Sequence, residues 1–208
     1  RLAAIEGPKD MELAGFSPDL TRVITAGRWD TTASLWDIQS GKLLARLKHP
    51  EGMRTRSTLG WGILVVAFSP DGTYAFTGSM DHTARLWDGH DGRFIASLEG
   101  HQDGVSVVAF SPNGKLLVTG SGNHEKQSAD FTAKLWDVRS RKLMASLVGH
   151  TDEVQAVAAV VGLEGVEDFR KRAVKGHVDD GTRDLRDAAG GTGGGRSCFL
   201  GHDCLSCA

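Results

Sequence analysis

Three constellations in the 208-residue chain have the residue types that chemistry needs. The first is His101, Thr119, Asp130 and Trp136. A histidine, a hydroxyl and a carboxylate are the parts of a nucleophilic triad, in which the imidazole takes the proton of the hydroxyl and the carboxylate holds the imidazole. The second is Cys198, His202, Cys204 and Cys207, all of which are ligand types for zinc. Their spacing is tighter than that of a familiar zinc finger. The third is the run Gly190-Gly191-Thr192-Gly193-Gly194-Gly195. It lacks the Gly-Lys-Ser/Thr ending that directs a loop's amides and a lysine at phosphates, so it reads as a flexible loop.

What must position these residues is a repeat. Trp36-Asp37, Trp87-Asp88 and Trp136-Asp137 stand 51 and 49 residues apart. Each closes a similar phrase: Thr32-Ala33-Ser34-Leu35, Thr83-Ala84-Arg85-Leu86, Thr132-Ala133-Lys134-Leu135. Self-similarity at such a period marks a repeat architecture. In the clearest copy, Gly100-His101 leads into an apolar stretch, Val105 to Phe110, then the turn Ser111-Pro112-Asn113-Gly114. Strands follow at Lys115 to Thr119, Thr132 to Trp136 and Lys142 to Leu147. Pro presets φ, and Asn-Gly tolerates left-handed conformations. Four short strands separated by turns predict one antiparallel four-stranded sheet per repeat. The same order is written upstream as Phe68-Ser69-Pro70-Asp71-Gly72 and Phe16-Ser17-Pro18-Asp19.

These phrases resemble the WD-repeat (WD40) β-propeller family over roughly residues 1–160. The resemblance implies an all-β propeller of four-stranded antiparallel blades. In that family the His, Thr, Asp and Trp of a repeat form a structural tetrad. It carries over to His101, Thr119, Asp130 and Trp136 in the third repeat. The second holds Thr77, Asp81 and Trp87, with Lys48-His49 where Gly-His belongs. The first holds Thr25, Asp30 and Trp36, with Pro8 where the His belongs. Unpaired burial of such groups costs a few kcal/mol each, so the tetrad is expected to be mutually satisfied. A nucleophilic site would need an exposed Ser or Cys and an oxyanion hole, and neither is indicated.

Residues 161–208 are Arg- and Gly-rich and lack Trp. In register they read as a degenerate fourth repeat. His150 and Asp180 hold two tetrad places, Lys175 and Arg186 the others, and Arg186-Asp187 stands 50 residues after Trp136. Ser197 to His202 matches Ala145 to His150, which puts Cys198 on a fourth strand. Cys204 to Ala208 then begins the next blade. On this register no metal site is expected. A disordered or frameshifted tail is the other reading of 161–208, because its composition also suits disorder. The expected architecture is therefore four repeats, the fourth degenerate, in an incomplete ring. The chain reads as part of a longer propeller, or as one that closes its ring with remaining blades or by oligomerisation.

The bulk numbers exclude more than they identify. A net charge of −2 gives no footprint for nucleic acid or anionic membrane. No apolar run approaches the ~18 residues of a spanning helix. Three Cys, all after residue 197, make no disulfide framework for a chain of this size.

Three irregularities break the repeat. They are Arg28-Trp29 ahead of Asp30, an insertion within Pro50 to Trp61 carrying Arg54, Arg56 and Trp61, and extra residues between Ser121 and Asp130 including His124, Glu125 and Lys126. Propeller geometry gathers such loops on one rim. Variable loops on a rigid scaffold are where binding usually sits, and Trp and Arg are favoured contact residues. The expected function is a non-catalytic protein–protein interaction scaffold binding protein or peptide partners, with no cofactor, no nucleic acid and no membrane, in the cytoplasm. The alternative is a regulatory or sensor propeller domain severed from a larger enzyme such as a kinase or protease. An enzyme built on the propeller itself is the weakest reading.

Overall fold

The computed structural model describes residues 11–27, 30–49, 62–122, 130–150, 152–159, 196–201 and 204–207. All secondary structure among them is β. The first sheet comprises β1 (Met11–Phe16), β2 (Arg22–Gly27), β3 (Thr32–Asp37) and β4 (Leu43–Lys48), in that order. The second comprises β5 (Ile63–Phe68), β6 (Tyr74–Ser79), β7 (Ala84–Asp88) and β8 (Phe94–Leu98). The third comprises β9 (Val105–Phe110), β10 (Leu116–Ser121), β11 (Ala133–Asp137) and β12 (Lys142–Leu147). Every neighbouring pair in these three sheets is antiparallel.

Turn chemistry explains why the strands break where they do. Ser17 Oγ donates to Asp19 Oδ1 at 2.6 Å and accepts from the Arg22 N–H at 2.9 Å. Ser69 does the same with Asp71 and Tyr74, and Ser111 with Asn113 and Leu116. Side-chain oxygens thus satisfy backbone groups that no ladder reaches. The next position is left-handed: Gly72 at φ 73°, Gly114 at φ 69°, and Leu20 at φ 56°.

Sheets pack in chain order. β1 and β2 lie against β5, β5 and β6 against β9, and β9 and β10 against β13 (Val154–Ala159). The core consequently lies between sheets. One cluster joins Ile24, Ala33, Leu35 and Leu47 to Ile63, Ala75 and Trp87. The next joins Phe76, Leu86 and Leu98 to Val105, Leu117 and Trp136. Second strands are covered on both faces, and β10 is buried at all six positions. The outer strand β4 alternates and is mostly exposed. Close approach between sheets depends on Gly78: a Cβ there would stand 2.7 Å from the Val105 carbonyl oxygen of the following sheet. Among the described residues, the sheets do not close a ring.

The last sheet differs. β13, β14 (Arg196–Gly201) and β15 (Cys204–Cys207) form a three-stranded sheet in which β14 runs parallel to β13 and β15 antiparallel to β14. The register reading placed 197–202 as an antiparallel outer strand and 204–208 in another blade. In the structure both segments share one sheet with β13, because each pairs its backbone within that sheet. Lys175, Asp180, Arg186-Asp187 and the run Gly190 to Gly195 lie outside the described residues.

Candidate functional site

The two complete constellations are built alike. Each uses a His in the segment leading into a sheet, a Thr on its second strand, an Asp in the next turn and a Trp on its third strand. In the third sheet Trp136 Nε1–H donates to Thr119 Oγ1 at 2.9 Å. His101 Nε2 lies 2.8 Å from the same oxygen, and its Nδ1 lies 3.3 Å from Asp130 Oδ2. Indole is donor-only, so the threonine oxygen accepts from it and turns its own proton to His101 Nε2. His101 is then neutral, with Nδ1–H donating to the carboxylate. Burial pushes His101 down to about 4, although Asp130 opposes the shift. Burial also acts on Asp130, raising it. The Thr132 hydroxyl, the Gln102 N–H, His101 and the charge of Lys134 outweigh that and hold its carboxyl below the usual range.

The second sheet repeats the network with His49, the residue offset in the sequence. His49 Nε2 lies 2.7 Å from Thr77 Oγ1 and Nδ1 2.9 Å from Asp81 Oδ2, while Trp87 Nε1–H donates to Thr77 at 2.9 Å. Burial raises Asp81, but the His49 hydrogen bond and the Thr83 contacts outweigh it, so its carboxyl is also held low. In the first sheet only part of the set is joined. Trp36 Nε1–H donates to Thr25 Oγ1 at 2.9 Å, whereas Asp30 Oδ2 accepts from the Gly27 N–H at 3.2 Å. Pro8 lies outside the described residues. His150 is buried ahead of β13.

A triad nucleophile must be reachable and must have its proton taken by the base. Thr77 and Thr119 are fully buried, and each oxygen is already engaged by an indole and an imidazole. Cys198 and Cys207 stand opposite each other in the β14–β15 pair, and His202 lies outside the described residues. Among the described residues, no group of three or more His, Cys, Asp or Glu is arranged to hold a metal ion, and no helix is long and apolar enough to cross a membrane. Arg28, Trp29, Arg54, Arg56, Trp61, His124, Glu125 and Lys126 all lie outside the described residues. The described residues flanking the first two of these segments are joined: Ile63 N–H donates to Asp30 O at 2.8 Å, and His49 N–H to Thr31 O at 2.9 Å. One buried carboxylate escaped the sequence reading. Asp103 accepts from the Gly104 N–H at 2.6 Å through Oδ1, while Oδ2 has no hydrogen-bond partner.

Three four-stranded antiparallel sheets, packed in chain order and each locked by a Trp on its third strand, are blades of an open β-propeller. The family described as WD domain, G-beta repeat matches residues 54–88 and 92–137 of the chain. The chain is 32% identical over 85 residues to the small ribosomal subunit protein RACK1y of Oryza sativa subsp. japonica, covering 40% of this chain and 23% of that protein. It is 41% identical over 70 residues to ribosome assembly protein 4 of Saccharomyces cerevisiae, covering 33% and 12%. It is 31% identical over 106 residues to the WD repeat-containing protein VIP3 of Arabidopsis thaliana, covering 48% and 33%. The chain thus spans a third or less of each of these relatives. Among solved structures it is similar to U3-55K and to the RRP9 WD40 repeats, each with a TM-score of 0.62 and 24% identity over 76% of this chain. These cover 46% and 45% of the respective structures.

Proposed function

We propose that this chain is a non-catalytic protein–protein interaction scaffold. The observation that carries the reading is the closed hydrogen-bond network in the second and third blades. The groups that could have formed a triad engage one another behind solvent-excluded walls, and they hold blades rigid instead of facing a substrate. A rigid scaffold whose repeats are interrupted by irregular segments suits partner binding. The contact residues proposed are Arg28, Trp29, Arg54, Arg56, Trp61, His124, Glu125 and Lys126. Protein or peptide partners are proposed over nucleic acid or membrane, in line with the net charge of −2.

The test pairs two sets of variants. Arg56→Ala with Trp61→Ala should leave the melting temperature unchanged and abolish capture of proteins that the unaltered chain crosslinks in a cell extract. His101→Ala and Asp130→Ala should lower the melting temperature and alter no hydrolase activity. A hydrolytic activity lost in a still-folded His101→Ala variant would overturn the proposal.

A further inference from the structure

The three described blades each place two turns on the edge where their first strands end, and a backbone bond ties each pair together. Ile38 N–H donates to Thr21 O at 2.9 Å, Gly89 N–H to Thr73 O at 2.8 Å, and Val138 N–H to Lys115 O at 2.9 Å. Equivalent positions can therefore be compared corner by corner. The first blade carries Asp19, Thr21, Gln39 and Gly41, the second Asp71, Thr73, His90 and Gly92, and the third Asn113, Lys115, Arg139 and Arg141. The third blade loses an acid and gains three cations. The cation at the next position is common to all three, as Lys42, Arg93 and Lys142.

Lys115, Arg139, Arg141 and Lys142 are all exposed. Arg22 and Arg93 in the other blades lie 3.9 Å from Asp19 and 4.0 Å from Asp88. Among the described residues, none of the four cations of the third corner forms an ion pair. The neighbouring Asp137 Oδ1 is occupied by the Ser140 N–H at 2.6 Å. Arg141 holds φ 62° where Gly41 and Gly92 hold 69° and 72°. A Cβ is disfavoured there, so a guanidinium stands at this position against the local backbone preference.

We propose that this corner of the third blade docks an acidic segment of a protein partner, a short stretch rich in Asp and Glu. Four unpaired cations on adjoining turns attract such a segment and set its orientation. A nucleic acid fits less well. Its phosphates would run on across the matching corner of the second blade, which carries Asp71, Asp88 and Asp91. No aromatic side chain stands among the described residues of the third corner to stack a base. The site uses none of the contact residues proposed above, and it shares with the proposed function only the class of partner. The two readings therefore fail separately.

The experiment titrates the full chain into a fluorescein-labelled peptide of eight glutamates and follows anisotropy, with a glutamine peptide as the neutral counterpart. The glutamate peptide should bind saturably and more weakly as salt rises, and the glutamine peptide should not bind. Lys115→Glu with Arg139→Glu should weaken binding roughly tenfold or more. Lys42→Glu on the first blade should change it little. Arg141→Gly, which relieves the backbone, should lower affinity while raising the melting temperature, and it decides the matter if the double variant fails to fold. Absent binding, affinity in the double and Arg141→Gly variants equal to that of the unaltered chain, an equal loss in Lys42→Glu, or tighter binding of an oligothymidylate of matched charge would each overturn the proposal.

Discussion

Thr119→Val tests the buried network most directly. Valine keeps the shape of threonine and removes the hydroxyl, so Trp136 Nε1–H and His101 Nε2 both lose their partner in a site closed to water. Each stranded buried group costs roughly 1–3 kcal/mol, which puts the variant about 2–6 kcal/mol below the unaltered chain. Thr25→Val in the first blade is the internal control. Thr25 Oγ1 accepts from Trp36 Nε1, and no described histidine completes the set there. One stranded donor, on a half-buried indole, makes the cost about 1–2 kcal/mol. Urea unfolding monitored by Trp fluorescence measures both, with matching m-values as the sign that only stability has changed. The melting temperature should fall by about 2–4 °C for each kcal/mol. If the two variants cost the same, or Thr119→Val stays within about 0.5 kcal/mol of the unaltered chain, the directional chain from Trp through Thr to His is refuted.

Acidification gives a second expectation. His101 is depressed from 6.5 to about 4, so between those values the unfolded chain binds a proton that the folded chain refuses. Stability should be full above about 6.5 and decline as pH falls towards 4. A His101→Gln variant should show a shallower decline across that window in urea titrations. Leu20→Gly should raise stability by about 1 kcal/mol, because Leu20 is exposed and sits at φ 56° in a place where the other two blades have glycine. Differential scanning calorimetry measures that gain. Gly92→Ala should have the opposite sign, since its Cβ would stand 2.3 Å from Ala45 Cβ of the first blade, and its φ of 72° adds strain. A melting temperature unchanged in Gly92→Ala would show that the blades pack more loosely at this contact.

Strands were the most legible part of this chain, because their ends are written in turn residues. The phrase beginning at Ser111 and the tryptophan at 136 bracket β10 and β11, and the expected strands differ from the observed ones by one or two residues. The His, Thr and Asp of the third blade were legible from their places in the repeat. Hydrophobic pattern alone does not state which strand pairs with which, or in what direction. That is why the parallel pairing of β14 on β13 was not foreseen. Backbone sign was hidden too, since nothing in the letters at Leu20 or Arg141 announces a positive φ until each is aligned with its glycine counterpart. The cationic corner required that same alignment together with the backbone bond that brings Lys115 and Val138 together.

His49 follows directly on β4, the outer strand of the first blade, yet its imidazole closes on Thr77 and Asp81 inside the second. An outer strand is the edge from which a sheet ordinarily frays. Here fraying of β4 would tear a buried imidazole out of the neighbouring blade. Amide hydrogens along β4 should therefore exchange in step with those of β6 and β7 and not ahead of them, and the two blades should open as one cooperative unit. In an array of repeats, that linkage converts a row of separate small sheets into a body that yields only all at once.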